Sequence, residues 1–556
     1  MNNEATKYKT AVRYSDFGAV GDGKTNDFEA IFKAHTYANE HGLPVLGDTD
    51  KVYYISDTEK DSVARAIPIM TNVDWQGAKF IIDDSELLCE EGSKRNYNIH
   101  VFDVKSPYEK LVINDSETLA KIGKINFNTN KINLELGYPA LITIFKSDEN
   151  VYKRQGSYPE KVKLGSPKSE ILLIDGEGNI DPSTALLFEY DYLTSIDVVR
   201  CDLEPIVVEN AEIVTIAPKM SIIQIDADGK RRKVGKSFRR GIIVNRSNTT
   251  VKGIKHFVKG EYTVKQEEEE ALLGPRYNGF FVSGNVNNVT FENCTLSARR
   301  GNGTYDFLAT RTNNVVLKGC SQYNFYKRDE DGNETSVNST VNNEYWGVGG
   351  TNFCKNMVYD TCTLTRYDAH CGLYNGKVVN SKISRINLVG AGDMLIENCY
   401  IELVGTPIFS MRADYGATWH GTVTVRNCTV KPPEGAKRIF VSASGWFNHD
   451  FGYQCYFPEI TVDNLKLVGK NIPVHITDDD PEQKHYQADY YTQTVASEPN
   501  RHLEILSDGE TKNENVIIPP KKFVALNNHS LIDFATYDLP FFDNTELCGA
   551  RRVKMP

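Results

Sequence analysis

Acids, bases, arginines and aromatics crowd one stretch of the chain, between residues 306 and 453. Strand alternation sorts them, because successive side chains point to opposite faces. In 408–414 it separates Phe409, Met411 and Ala413 from Ser410, Arg412 and Asp414. In 368–375 it separates Cys371 and Leu373 from Asp368, His370 and Tyr374. In 385–390, Ile386 and Leu388 part from Arg385 and Asn387; in 345–349, Trp346 and Val348 part from Tyr345. The phase of 305–311 is ambiguous, and Asp306 is assigned to the outer face. The next corner adds Trp419 and His420, and a loop adds Trp446, His449, Asp450 and Tyr453. Such a set can move protons through carboxylate and imidazole, stack rings on pyranose faces, and grip carboxylate or sulfate groups bidentately through arginine.

These residues need a scaffold that repeats. Cys294, Cys320, Cys362, Cys399 and Cys428 recur in one phrase, a short alternating strand followed by a polar turn and a second short strand. Ser381 and Leu465 take the cysteine's place in two variants, and the phrases recur at irregular intervals of 18 to 42 residues. A fixed phrase at irregular intervals suits a coil that admits loops at its corners, and no apolar spacing of three and four marks a helical repeat. The phrase predicts a parallel β-helix, with strands stacked about 4.8 Å apart. Asparagine at the corner tolerates left-handed backbone angles and bonds its neighbour's side chain. Cysteine after it packs inward as a small hydrophobe. The sequons at Asn293 and Asn427 read as corners on that basis.

The segment from Tyr14 to Val45 holds a glycine-rich turn, then an amphipathic helix with Asn26 as expected N-cap, Glu29 completing a capping box, and Gly42 as stop. It resembles the N-terminal cap of the pectate-lyase-like superfamily, which includes polygalacturonase-type hydrolases, polysaccharide lyases and phage tailspike depolymerases. Cap and repeats together cover somewhat over half of the chain. The resemblance implies an all-β, right-handed parallel β-helix closed by that helix, and carbohydrate as the ligand. The polygalacturonase signatures Asn-Thr-Asp, Asp-Asp, Gly-His-Gly and Arg-Ile-Lys are missing, so no catalytic residue carries over.

Four segments are expected: cap and first coils over 1–95, an inserted β-rich module over 96–238, the main helix with its groove over 239–470, and a C-terminal tail over 471–556. The basic run Lys230, Arg231, Arg232, Lys233, Lys236, Arg239 and Arg240 reads as a solvated hairpin or as a clamp for an anionic polymer. The catalytic candidates are Asp368, His370, Arg412 and Asp414; the substrate-binding candidates are Asp306, Tyr345, Tyr374, Arg385, Asn387, Trp419, His420, Trp446, His449 and Asp450. Asp368 and Asp414 fall two coils apart, about 10 Å along the axis. Leaning together, they approach the roughly 6.5–9.5 Å of an inverting glycoside hydrolase. A lyase would use Arg412, His370 or a tyrosine as base and Arg385 to neutralise a uronate. The plainer alternatives are corner carboxylates bonding backbone N–H groups, a stacked histidine, and Arg412 serving only to neutralise Asp414. A third class is a glycan-binding or tailspike-like protein without catalysis.

Composition narrows the classes further. The 556 residues include 25 Phe and 29 Tyr, too many buriable rings for a disordered chain. No apolar run approaches the about 20 residues of a membrane span. A net charge of −11 argues against nucleic acid. Eleven cysteines without paired Cys-x-x-Cys spacing read as buried thiols, with no metal and no cofactor expected. The spacing of Gly18, Gly21 and Gly23 does not fit a nucleotide loop. The expected partner is a carbohydrate, neutral or anionic, and a homo-oligomer is compatible with that. No apolar leader opens the chain, which fits a cytoplasmic protein or a secreted one whose signal has been removed.

Overall fold

The computed structural model describes residues 11–85 apart from two short gaps, 99–152, 166–216, 240–259, 276–297, 305–322, 350–403, 408–411, 419–431, 441–443 and 458–467, with isolated strands between 223 and 238, 325 and 337, and 523 and 554. It divides into two compact units: Met1–Glu109 with Cys201–Ala309 and Val316–Gly349, and Lys110–Arg200 with Thr310–Val315 and Gly350–Pro556.

In the first unit, Phe28–His41 is helical because Phe28, Ile31, Ala34, His35 and Ala38 line one buried face. Gly42 ends it at φ 64, its N–H donating to Ala38 O. The N-cap is Asp27, not Asn26, and its side chain makes no cap bond, although Asn26 Oδ1 accepts from the Phe28 N–H at 3.3 Å. The Asp27 carboxylate instead accepts from the Val20 and Gly21 N–H groups, so it folds the glycine-rich turn onto the helix. Under the helix lies an aromatic cluster of Tyr14, Tyr53, Trp75, Phe80 and Phe102, all within 1% exposure. Trp75 Nε1 donates to Tyr14 Oη at 2.7 Å, so the Tyr14 hydroxyl proton goes to His35 Nε2, also at 2.7 Å.

Parallel strands stack beneath this cap. Val52–Ile55, Lys79–Asp83, Ile206–Ile216, Thr249–Lys259 and Asn287–Glu292 pair in succession. A second ladder runs Ile67–Ile69, Phe102–Lys105, Ile242–Asn245 and Arg276–Gly284. Alternate residues such as Phe80, Ile82, Ile213, Val251 and Ile254 fill the interior. Within 96–238, therefore, Phe102–Lys105 and Ile206–Ile216 are ladder strands. Of the basic run, Arg231–Lys233 forms an antiparallel hairpin with Ile223–Ile225, and buried Arg240 bonds Asp84 at 2.9 Å.

Three parallel ladders build the coils of the second unit, and Ile532–Thr536 pairs separately with Ala550–Lys554, also in parallel. One contains Gly350–Asp360, Cys371–Val379, Gly390–Glu397, Trp419–Arg426 and Glu459–Asp463. The next contains Arg366–Asp368, Arg385–Leu388, Phe409–Met411 and Val441–Ala443. The third contains Lys382–Ile383, Tyr400–Glu402, Thr429–Lys431 and Lys466–Leu467. The corners behave as the repeat phrase predicts. Asn380, Asn398, Asn427 and Asn464 have φ between 52 and 55. Asn398 Nδ2 donates to Asn380 Oδ1 at 3.1 Å, and Asn464 Nδ2 to Asn427 Oδ1 at 2.7 Å. Cys362, Ser381, Cys399, Cys428 and Leu465 follow the corners into the core, none more than 4% exposed. All eight described cysteines are buried thiols.

The inserted module is an antiparallel sheet in the order Leu111–Ile113, Ser195–Arg200, Ala140–Val151 and Ser166–Ile174. It has its own core, including Ile142, Ile144, Leu172, Ile196 and Val198. One buried ionic contact joins it to the parallel strands of the same unit. Lys355 Nζ lies 2.9 Å from Glu170 Oε2 and donates to Thr184 O and Ala185 O, while Glu170 also accepts from the Leu187 and Phe188 N–H groups. The chain is thus a right-handed parallel β-helix with an N-terminal capping helix and an inserted β-rich module.

Candidate functional site

Tyr367, Ile386 and Phe409 are aligned on adjacent strands and fully buried in the coil interior. Alternation therefore sends Asp368, Arg385 and Asn387 to the outer face, as expected, together with Arg366. The expectation that this face meets solvent fails for two candidates. Asp368 is 0% exposed and Asn387 3%. Asp368 Oδ2 lies 2.5 Å from Arg366 Nη2, and its Oδ1 accepts from Asn387 Nδ2 at 3.1 Å. Arg366 is itself buried. A carboxylate removed from water needs a cation and further donors around it, and Asp368 has both. It holds two coils together and is not a solvent-facing proton donor.

Two other expectations change. Trp419 is fully buried, its indole N–H donating to Gly392 O at 3.0 Å and Thr422 O at 3.1 Å. It begins a strand in register with Gly390, so its ring belongs to the core and offers no sugar platform. Asp306 is 2% exposed in the first unit. It contacts His256 Nδ1 at 3.2 Å and accepts from the Ser297 N–H, and burial pushes its carboxyl pKa up. His256 in turn meets Thr215 Oγ1 at 3.0 Å and stacks on Phe280. Tyr345, Arg412, Asp414, Trp446, His449 and Asp450 lie outside the described residues.

His370, Tyr374 and Arg385 are partly exposed, and His420 is exposed. The run 368–375 is not one strand: it breaks after Asp368, and His370 sits at the corner before Cys371–Val379. There His370 Nδ1 lies 3.1 Å from Asn352 Oδ1. An amide oxygen only accepts, so Nδ1 carries the proton and Nε2 of the neutral ring holds the lone pair. Tyr374 is half-buried on the following strand, and burial, together with Asp393, raises its phenol pKa so that it stays protonated. Sequence reasoning weighed neither Asn352 nor Arg311, whose N–H donates to Asn352 O at 2.8 Å. Arg311 ends a strand run visible in the sequence, but its aromatic contacts, Phe145 and Phe353, come from distant segments.

Fold and site define a parallel β-helix protein with an inserted antiparallel sheet and a polar corner around His370. No protein-family model and no curated protein matches the chain. Among solved structures it is similar to the tailspike gp61 of Pseudomonas phage phi297, at 10% identity and TM-score 0.46, over 94% of this chain and 80% of that one. It is similar to the Streptococcus pneumoniae surface protein and adhesin PfbA, at 10% identity and TM-score 0.41, over 98% and 100%. It is also similar to a Yersinia enterocolitica family 28 exopolygalacturonase, at 10% identity and TM-score 0.29, over 83% and 76%. The fold stands on the strand pairing described above, and activity has to be read from this chain's own residues.

Proposed function

We propose that the protein is a carbohydrate-active enzyme that cleaves an acidic polysaccharide by β-elimination, with His370 as the base. The observation that carries this reading is the Asn352 Oδ1 contact, which leaves His370 Nε2 as proton acceptor. Nε2 takes the proton from the carbon next to a uronate carboxylate. The electron pair forms the carbon–carbon double bond and expels the glycosidic oxygen, which receives the proton back from the imidazolium. Arg385, partly exposed on the adjacent coil, supplies positive charge for the carboxylate while the carbanion develops. Tyr374 and His420 contact sugars on either side.

Hydrolysis by Asp368 and Asp414 is the competing chemistry. It needs two carboxyl groups that reach substrate, and Asp368 is committed to Arg366 and Asn387. Mass analysis of products from polygalacturonate, alginate and neutral glucans decides between them. Elimination leaves an unsaturated, ultraviolet-absorbing end, whereas hydrolysis adds water. Binding without cleavage of any glycan in the panel would leave the protein a glycan-binding β-helix.

A further inference from the structure

Most non-glycine residues with positive φ are the corner asparagines, a residue type that tolerates this conformation. Among the described residues the arginine and the aromatics with positive φ are three: Tyr152 at 51, Arg311 at 51 and Phe353 at 56. For bulky side chains that backbone is an outlier, and such outliers collect at functional sites. These three touch one another. The Arg311 guanidinium lies 5.3 Å from the Phe353 ring centroid and 5.5 Å from that of Phe145. Phe353 meets Tyr152 edge-on at 5.6 Å, and Tyr152 meets Phe188 at 6.1 Å. Phe145, Tyr152 and Phe188 come from the inserted module, and Arg311 and Phe353 from the parallel coils of the same unit. The next coil has Gly372 in register with Phe353, and a side chain there would strike the Tyr152 hydroxyl at 2.7 Å.

Arg311 makes no ion pair among the described residues, and its buried Nε has no hydrogen-bond partner. Asp197, whose charge acts on Arg311, is paired with Lys110 at 2.9 Å. A half-buried guanidinium over two rings, with its Nε unspent, can receive a planar anion. We propose that Arg311 and Phe353 form an anionic-sugar subsite, in which the guanidinium binds a carboxylate or sulfate and the partly exposed Phe353 ring meets the pyranose, with buried Tyr152 packed behind that ring. The backbone of Asn352 links Arg311 to the corner of His370, so the subsite adjoins the proposed reactive corner. The choice of a sugar as carrier of the anion rests on the proposed function; the anion requirement rests on Arg311 alone.

Binding, measured calorimetrically on the full chain, tests this. The ligands are a galacturonate oligomer, a sulfated galactan oligomer and a neutral galactan oligomer. Arg311→Gln should weaken whichever anionic oligomer binds by about ten- to a hundredfold, leaving neutral binding unchanged. Arg311→Lys should recover only part of the loss, because it keeps charge without the planar fork. Thermal melting of Arg311→Gln separates a ligand residue from a structural one: with no ion pair among the described residues, only its ring contacts are lost, so Tm should fall little. A twofold or smaller change in anionic binding, wild-type indifference to both anionic oligomers, or a marked fall in Tm would overturn the subsite. Loss of anionic binding in Arg311→Gln with no cleavage by wild type would keep the subsite and remove the enzyme. Cleavage abolished by His370→Ala with binding intact in Arg311→Gln would do the reverse.

Discussion

His370 Nδ1 and Asn352 Oδ1 stand 3.1 Å apart across adjacent coils, and that contact sets which nitrogen of the ring can take a proton. His370→Ala should lower turnover by about a hundred- to ten-thousandfold with unfolding midpoints near wild type. Asn352→Asp should shift the acid limb of the pH–rate profile upward, since a carboxylate beside Nδ1 favours the imidazolium. An unchanged profile in Asn352→Asp would place the base elsewhere.

Asp368 gives a prediction of the opposite kind. Asp368→Asn leaves Arg366 buried without its counter-charge, and breaking such a pair costs about 3–5 kcal/mol. Chemical denaturation should show that loss, and the double replacement Arg366→Met with Asp368→Leu should recover most of it. Wild-type stability in Asp368→Asn would return this residue to the list of catalytic acids.

Lys355 and Glu170 are both within 2% exposure and fasten the inserted sheet to the coils of their unit. Lys355→Met strands the Glu170 charge and should cost about 3–5 kcal/mol. The same denaturation curves check it, and limited proteolysis should cut first within the inserted module.

His35 carries a pH signature. Burial lowers its pKa from 6.5 to about 3 in the folded protein. The unfolded chain therefore binds more protons between those values, so stability is full above 6.5 and falls as pH drops towards about 3. Between 6.5 and about pH 5 the loss should be about 2 kcal/mol. In His35→Gln, which still offers Tyr14 an acceptor, the slope over that interval should be correspondingly shallower. Equal slopes in both proteins would mean that His35 titrates normally.

The coils were legible because their signal is local. Asn398 and Cys399 sit side by side in the chain, and both the left-handed corner and the inward thiol follow from residue type. The cap helix was legible for the same reason, although Asp27 caps the glycine turn rather than the helix. Alternation put Asp368 on the outer face, yet an outer face is solvent-exposed only if nothing covers it, and period-two patterning does not report cover. Trp419 was misread as a corner because the strand start was not visible. The Arg311 clamp was out of reach: residues 145, 311 and 353 meet only after the inserted sheet has docked.

The central claim is elimination on a uronate polymer, and the most direct measurement is the mass of the product ends. Wild type acting on polygalacturonate or alginate should release oligomers with an unsaturated terminus, and His370→Ala should release none. Products that have gained water, from wild type and at undiminished rate from His370→Ala, would contradict the account.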